Sequence, residues 1–390
     1  MPGSAPQADW KITWEDKELN RPYRYDIVGS FLRPQQLKEA RSRFAAGEIS
    51  RQELTEVEDT SIRALVEKEK AAGLHAVTDG EFRRRMWHLD FLEQLGGVKK
   101  VDQENWSVEF KGNKPKGATL TFTDRISFPE DHPFLAHYRF LKENAGDADT
   151  KMTIPSPSML HLIACVRSSD TYQPIARYAG REELLFDDIA QTYIDAVLAF
   201  YRLGCRYLQL DDTSWGEFCD AEKRAAYAAK GIDVDAVGRH YVDVLNRIMD
   251  RKPADMTITM HICRGNFRST WFSSGGYERV ADILFAGCRA DGFFLEYDSD
   301  RAGGFKPLEK IRDQYVVLGL VTSKFPELED KDAVIRRIRE ASRCVPLDHL
   351  CVSTQCGFSS TEEGNLLTEE DQWKKIRLVR EIAEEVWKDA

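Results

Sequence analysis

No stretch of this 390-residue sequence stays apolar for the roughly 20 residues that a membrane-crossing helix requires. The first residues, MPGSAPQADWK, have neither the basic start nor the apolar centre of a secretory signal, so a cytoplasmic protein is expected. Basic residues are in deficit: 55 Lys and Arg face 65 Asp and Glu, for a formal net charge of −10. That balance argues against a surface dedicated to nucleic acid or to an anionic membrane. No GxGxxG follows the first apolar run and GxxxxGK[ST] is missing throughout, which removes the usual sequence grounds for a dinucleotide or nucleoside-triphosphate site. Internal repeats and low-complexity tracts are missing too. Cysteines are few, eight in all, scattered from Cys165 to Cys356. In a chain of this size that favours free thiols over a disulfide framework, most of them small buried hydrophobes and two or three put to chemical use.

What is present is an alternation. Hydrophobic residues make up 42% and charged residues 31%, the composition of an ordinary globular protein. Short apolar runs read as strands at 25–30, 74–81, 151–157, 206–212, 256–263, 291–298, 315–323 and 349–356. Amphipathic segments lie between many of them. One spans 50–73 and starts at a Ser50–Glu53 capping box; others span 181–204, 234–250 and 368–387. Eight nearly continuous apolar strands with helical connections predict a parallel sheet covered by helices, and that number favours an α/β fold of the (β/α)8 TIM-barrel type. Residues 1–20 read as an N-terminal arm and 21–390 as one barrel. The rhythm breaks at about 97–148, which reads as a β-hairpin insertion after the second strand, with Gly112, Asn113 and Pro115 in its turn.

In a barrel, the C-terminal strand ends face the active-site mouth. In chain order those ends carry Ser30, Asp79, Glu81, Ser156, Asp211, Asp212, His261, Cys263, Glu296, Ser323, Lys324 and Cys356. Residues i and i+2 of a strand project to one side, so His261 and Cys263 can address one metal ion, with Glu296 and Cys356 arriving from neighbouring strands. An isolated HxC is more often incidental than a ligand pair; three thiol and imidazole groups at one rim bring a metal site to even footing. Asp211 and Asp212 allow two readings, cation binding or helix capping, and Glu81 allows the same two. Arg83, Arg84 and Arg85 suit either a substrate carboxylate or solvent.

These residues resemble the catalytic domain of cobalamin-independent methionine synthase. HICRGNF (261–267), followed by a later Glu and a later Cys, is similar to that family's zinc-binding pattern. DIVGSFLRP, DGEFRRRMWHLDFLEQLGG, LQLDD and STQCGFSS resemble further family segments in the right order, over roughly residues 25–385. The resemblance implies that His261, Cys263, Glu296 and Cys356 hold Zn2+. It implies that Glu81 and Asp211 hold the amino group of an amino-acid thiol such as homocysteine, and that Ser30 meets its carboxylate. Zinc lowers a thiol's pKa, and the resulting sulfur nucleophile attacks a methyl group. Two departures stand out. The chain has no room for the second barrel of the full-length synthases, and GLVTSKFPELE (319–329) places Ser323 and Lys324 where the family has a His. The methyl donor therefore stays open between a folate, a corrinoid and an unrelated electrophile.

The leading expectation is a zinc-dependent S-methyltransferase that converts homocysteine to methionine. Two alternatives accompany it. One is an epoxyalkane–coenzyme M transferase-like thiol alkyltransferase, and the other a non-catalytic metal- or thiol-binding barrel. The acids Glu81 and Asp211 favour an amino-acid thiol over the sulfonate of coenzyme M.

Overall fold

The computed structural model describes residues 21–103, Phe110, Gly112 and residues 117–390. The arm expected at 1–20 and the turn residues Asn113 and Pro115 lie outside the described residues. The strands are β1 (Tyr25–Asp26), β2 (Ala76–Val77), β3 (Gly96–Gln103), β4 (Gly117–Ser127) and β5 (Asp149–Pro155), followed by β6 (Tyr207–Asp212), β7 (Thr257–Ile262), β8 (Gly292–Glu296), β9 (Tyr315–Val321) and β10 (Leu350–Thr354). Eight of them form one parallel sheet in the order β1-β10-β9-β8-β7-β6-β5-β2. The ends of that order, β1 and β2, meet without a ladder. Thr78 Oγ1 donates to Gly29 O at 2.9 Å and the Phe31 N–H donates to Gly80 O at 3.1 Å, so the sheet is a nearly closed (β/α)8 barrel.

The strands β6, β8 and β10 are buried at every residue, because side chains on one face fill the barrel and those on the other meet helices. That double burial is why they read as unbroken apolar runs. The helices start where their capping chemistry dictates. Ser50 accepts from the Glu53 N–H in a reciprocal capping box before helix Arg51–Ala71, and Thr368 with Asp371 does the same before Glu369–Val386. Asp233 caps Val234–Met249, whose buried Tyr241, Val244, Leu245 and Ile248 recur at helical spacing. Burying each of these aliphatic side chains contributes ~1.5–3 kcal/mol, which fixes the helix on the barrel wall.

The insertion is narrower than its sequence suggests. β3 and β4 form an antiparallel hairpin within 96–127, whereas Pro133–Asn144 is a helix packed on β5 and on the helices Arg51–Ala71 and Glu182–Arg202. Pro133 at its first turn and buried Phe134, Leu135, Tyr138 and Leu141 give it an ordinary amphipathic face. Among the described residues no helix is long and apolar enough to cross a membrane.

Candidate functional site

His261 lies in β7, Cys263 follows directly after it, Glu296 ends β8 and Cys356 lies two residues beyond β10. All four are buried, and one ligand atom from each falls within 4.8 Å of the others. The Cys263 and Cys356 sulfurs are 3.7 Å apart. Two thiolates at about 2.3 Å from a tetrahedral ion would be separated by about 3.7 Å, so the sulfur pair already has that spacing. His261 Nδ1 lies 3.3 Å from Phe294 O, which orients the ring, and its buried Nε2 has no hydrogen-bond partner among the described residues. A histidine tied to a carbonyl through one nitrogen, with the other free, is the arrangement that metal-binding imidazoles adopt. The Arg264 N–H donates to Glu296 Oε1 at 2.8 Å and the Arg301 guanidinium to Oε2 at 3.2 Å, so the carboxylate is also held from outside.

The electrostatics of the cluster follow from proximity. Burial works to raise the Glu296 pKa, but the charges of Lys324, Arg301 and His261 outweigh it and keep the carboxyl ionised. Burial likewise opposes protonation of His261; Cys356, Asp211 and Glu296 overcome that and push it up to about 9. The Cys263 hydrogen bond and the His261 charge drive Cys356 well below the usual thiol range, while the same hydrogen bond and burial drive Cys263 above it. Negative donors crowd one point, and any positive charge there is stabilised. The donor set of two sulfurs, one imidazole and one carboxylate suits a borderline ion such as Zn2+.

One cavity is lined by Ser30, Glu81, Asp211, His261, Cys263 and Cys356, so expected acceptor-binding residues and three of the four cluster residues share a wall. Glu296 stands behind that wall, fully buried. Burial first, and the nearby Glu81 charge second, push Asp211 up to about 7, against the opposing pull of His261. Burial also raises Glu81, with Asp79 adding to it and Arg84 and Arg33 opposing. Glu81 Oε1 accepts from Thr153 Oγ1 at 3.1 Å, and Oε2 has no partner among the described residues. Two buried carboxylates that repel each other are a binding site for a cation, since an entering ammonium relieves both penalties. Glu81 stands at φ 60°, in the left-handed region, a conformation costing ~1–2 kcal/mol for a side chain of this kind. Asp79 holds it there by accepting the Glu81 N–H at 2.8 Å.

The remaining rim residues sort by their partners. Asp212 accepts from Ser214 N at 2.6 Å and Ser214 Oγ at 2.5 Å, so it caps the next helix, while Asp211 faces the cavity. Ser30 Oγ accepts from the Ser359 N–H at 3.2 Å and ties the end of the first barrel unit to the loop after β10. Ser156 pairs with Ser158, Ser323 donates to Gly357 O, and Lys324 donates to Asn266 Oδ1 at 2.9 Å and Gly265 O at 3.2 Å. The three arginines all have protein partners: Arg83 with Glu58 and Asp59 and Arg85 with Glu362 away from the cavity, and Arg84 with Thr153 O and with Glu81 in the cavity wall. What the sequence reading missed is the aromatic part of the cavity, formed by Trp87, His88, Phe110, Phe267 and Phe272. Its only signal was the cluster of aromatic side chains next to the HxC and DGE segments.

The family model for the cobalamin-independent synthase catalytic domain matches residues 26–385. The chain belongs to that family. The Bacillus subtilis protein YxjH is 49% identical over 375 residues, covering 96% of this chain and 97% of that protein. A solved structure from Listeria monocytogenes is 41% identical with a TM-score of 0.75, covering 94% of this chain and 98% of that one. The 5-methyltetrahydropteroyltriglutamate–homocysteine methyltransferase of Flavobacterium johnsoniae is 21% identical, covering 88% of this chain but only 40% of that longer protein. As a member of the cobalamin-independent synthase family, the chain is a methyltransferase.

Proposed function

We propose that this family member is a cytoplasmic, zinc-dependent S-methyltransferase that methylates homocysteine to methionine with a methylpterin as donor. The observation that carries this reading is a single cavity in which His261, Cys263 and Cys356, backed by Glu296, adjoin two buried carboxylates. His261, Cys263, Glu296 and Cys356 would hold the ion, with Arg264, Arg301 and Phe294 fixing their orientation. Bound there, Zn2+ supplies a Lewis acid that keeps the acceptor sulfur as a thiolate at neutral pH. Glu81 and Asp211 receive the α-ammonium group, and Ser30 and the backbone beside it receive the carboxylate. Those contacts orient the acceptor so that its sulfur lies at the cluster, in line with the donor methyl. The transfer forms a sulfur–methyl bond and breaks the donor's nitrogen–methyl bond, the donor nitrogen taking up a proton.

The donor assignment is supported by the activity named for the Flavobacterium johnsoniae relative and by a family defined by independence from cobalamin, which counts against a corrinoid. The coenzyme M alternative is weakened, since Arg83 and Arg85 are paired away from the cavity and Arg84 is paired with Glu81 in its wall, which leaves none of the three unpaired for a sulfonate. Calorimetric titration of the zinc-loaded protein with homocysteine and with coenzyme M tests the reading. Heat with homocysteine that disappears in Asp211→Asn is expected; heat with coenzyme M alone would overturn it.

A further inference from the structure

The acceptor and the cluster account for Ser30, Glu81, Asp211, His261, Cys263 and Cys356, whereas Asn266 is bonded to Lys324 and to Gly357 O, and His88 belongs to neither group. His88 lines the cavity, yet its ring makes no hydrogen bond among the described residues, and its Nδ1 is buried without a partner. A buried polar atom left unpaired costs ~1–3 kcal/mol, so a native protein rarely leaves one without a ligand, water or functional reason. A half-turn of the imidazole about its Cβ–Cγ bond can present either nitrogen to the cavity.

The position of His88 is fixed relative to the metal cluster. Asp90 accepts from the Arg85 N–H at 2.6 Å and the Met86 N–H at 3.2 Å, locking the turn that leads into His88. The Trp87 N–H donates to Ser360 O at 3.0 Å and Met86 bridges Thr361, so the segment is fastened to the loop that carries Cys356. The chemistry around His88 is aromatic. The Trp87 ring lies 4.5 Å from the imidazole, and Phe110 reaches across to Phe267 at 5.4 Å and Phe272 at 5.2 Å. Flat rings suit such walls, where stacking contributes beyond area burial.

We propose that His88 recognises the methyl donor, hydrogen-bonding a ring nitrogen or ring amide of the flat pyrimidinone ring of a reduced pterin seated against Trp87. The assignment rests on the methyl-transfer reading above and supplies a polar contact on the donor side. Burial, with Arg167 and Lys100 nearby, holds His88 down to about 3, so at neutral pH the ring is uncharged and can both accept and donate a hydrogen bond. His88 is therefore a recognition residue, separate from the family position at which this chain carries Ser323 and Lys324 in place of a His.

The test uses zinc-loaded full-length protein and 5-methyltetrahydropteroylglutamate as probe, with homocysteine titrated in parallel. His88→Ala is expected to weaken the probe about tenfold, the equivalent of one hydrogen bond of roughly 1.4 kcal/mol, with His88→Gln recovering part of the loss. Homocysteine affinity should stay within about twofold, since the two groups share no partner. In turnover, the donor KM should rise while kcat changes less. Unchanged probe affinity in His88→Ala, or an equal loss for homocysteine, overturns the proposal. Wild-type protein that binds homocysteine but no pterin overturns it as well and leaves the acceptor assignment standing. Absence of homocysteine binding in wild type would instead bring down the proposed function itself.

Discussion

The sulfurs of Cys263 and Cys356 lie 3.7 Å apart although 93 positions separate them in the chain. Only the barrel makes them neighbours: β7 and β10 are not adjacent in the sheet, and both sulfurs lean in over the mouth. Cys351, five residues before Cys356, faces Pro22 O instead. Cys356→Ser is expected to weaken zinc by at least ~100-fold, beyond the effect of losing an outer contact, whereas Cys351→Ser keeps about one equivalent. Metal content after dialysis measures both, and a Cys356→Ser protein that still holds its zinc would sink the assignment.

A second expectation needs no change to any ligand. A Cβ added at Gly216 would lie 2.3 Å from the carbonyl oxygen of Cys263 and 3.2 Å from Ser273 Oγ. Backbone cannot yield as a flexible side chain can, so Gly216→Ala must push the end of β7 outward. We expect a stability loss of ~1–3 kcal/mol and weaker zinc binding, read by thermal melts and metal titration. An alanine variant with wild-type melting and metal affinity would show that this helix is free to shift.

Asp211 makes a prediction about pH. Its native pKa, pushed up to about 7, exceeds the unfolded value of about 3.9, so the native state holds the proton more tightly. That contribution is complete below about pH 4 and is lost as pH rises through about 7, when the buried carboxyl must ionise. Asp211→Asn lacks the penalty and should gain ~1–3 kcal/mol over wild type at pH 8 but little at pH 4.5, while losing homocysteine affinity. Denaturant melts in chelator at the two pH values decide it; parallel curves would place the cost elsewhere.

The middle strands were legible because burial on both faces leaves a continuous apolar signature. Seven of the eight expected runs contain their barrel strand and the run at 151–157 overlaps β5, which starts two residues earlier, while β6 and β7 match to within a residue or two. The first two runs shrink to two paired residues each, since Gly29 at φ 144° and Gly80 at φ 62° turn the chain out of the sheet. Helix Pro133–Asn144 was hidden by the hairpin signals before it, although Phe134, Tyr138 and Leu141 carry its period. Within the site, His261 and Cys263 follow from strand parity, whereas Asp211 and Asp212 could not be told apart without seeing which one found backbone donors. His88 and Trp87 were masked by the three arginines beside them, whose partners only the folded chain brings into reach.

The seam between β1 and β2 divides the cavity into unequal halves. Each strand pairs with its neighbour from β5 through β10 to β1, with a register shift at Ser353–Thr354 in β10, and the cluster residues hang from that arc. Ser30 and Glu81 flank the joint, which among the described residues is closed by a threonine hydroxyl, one backbone bond and the Arg33 guanidinium donating to Glu81 O. An arc of this kind keeps the donor atoms at fixed spacing, while the joint beside Ser30 and Glu81 is held mainly by side-chain contacts in place of a ladder. The barrel is thus paired strand to strand where the sulfur and imidazole donors hang, and stitched by side chains beside Ser30 and Glu81.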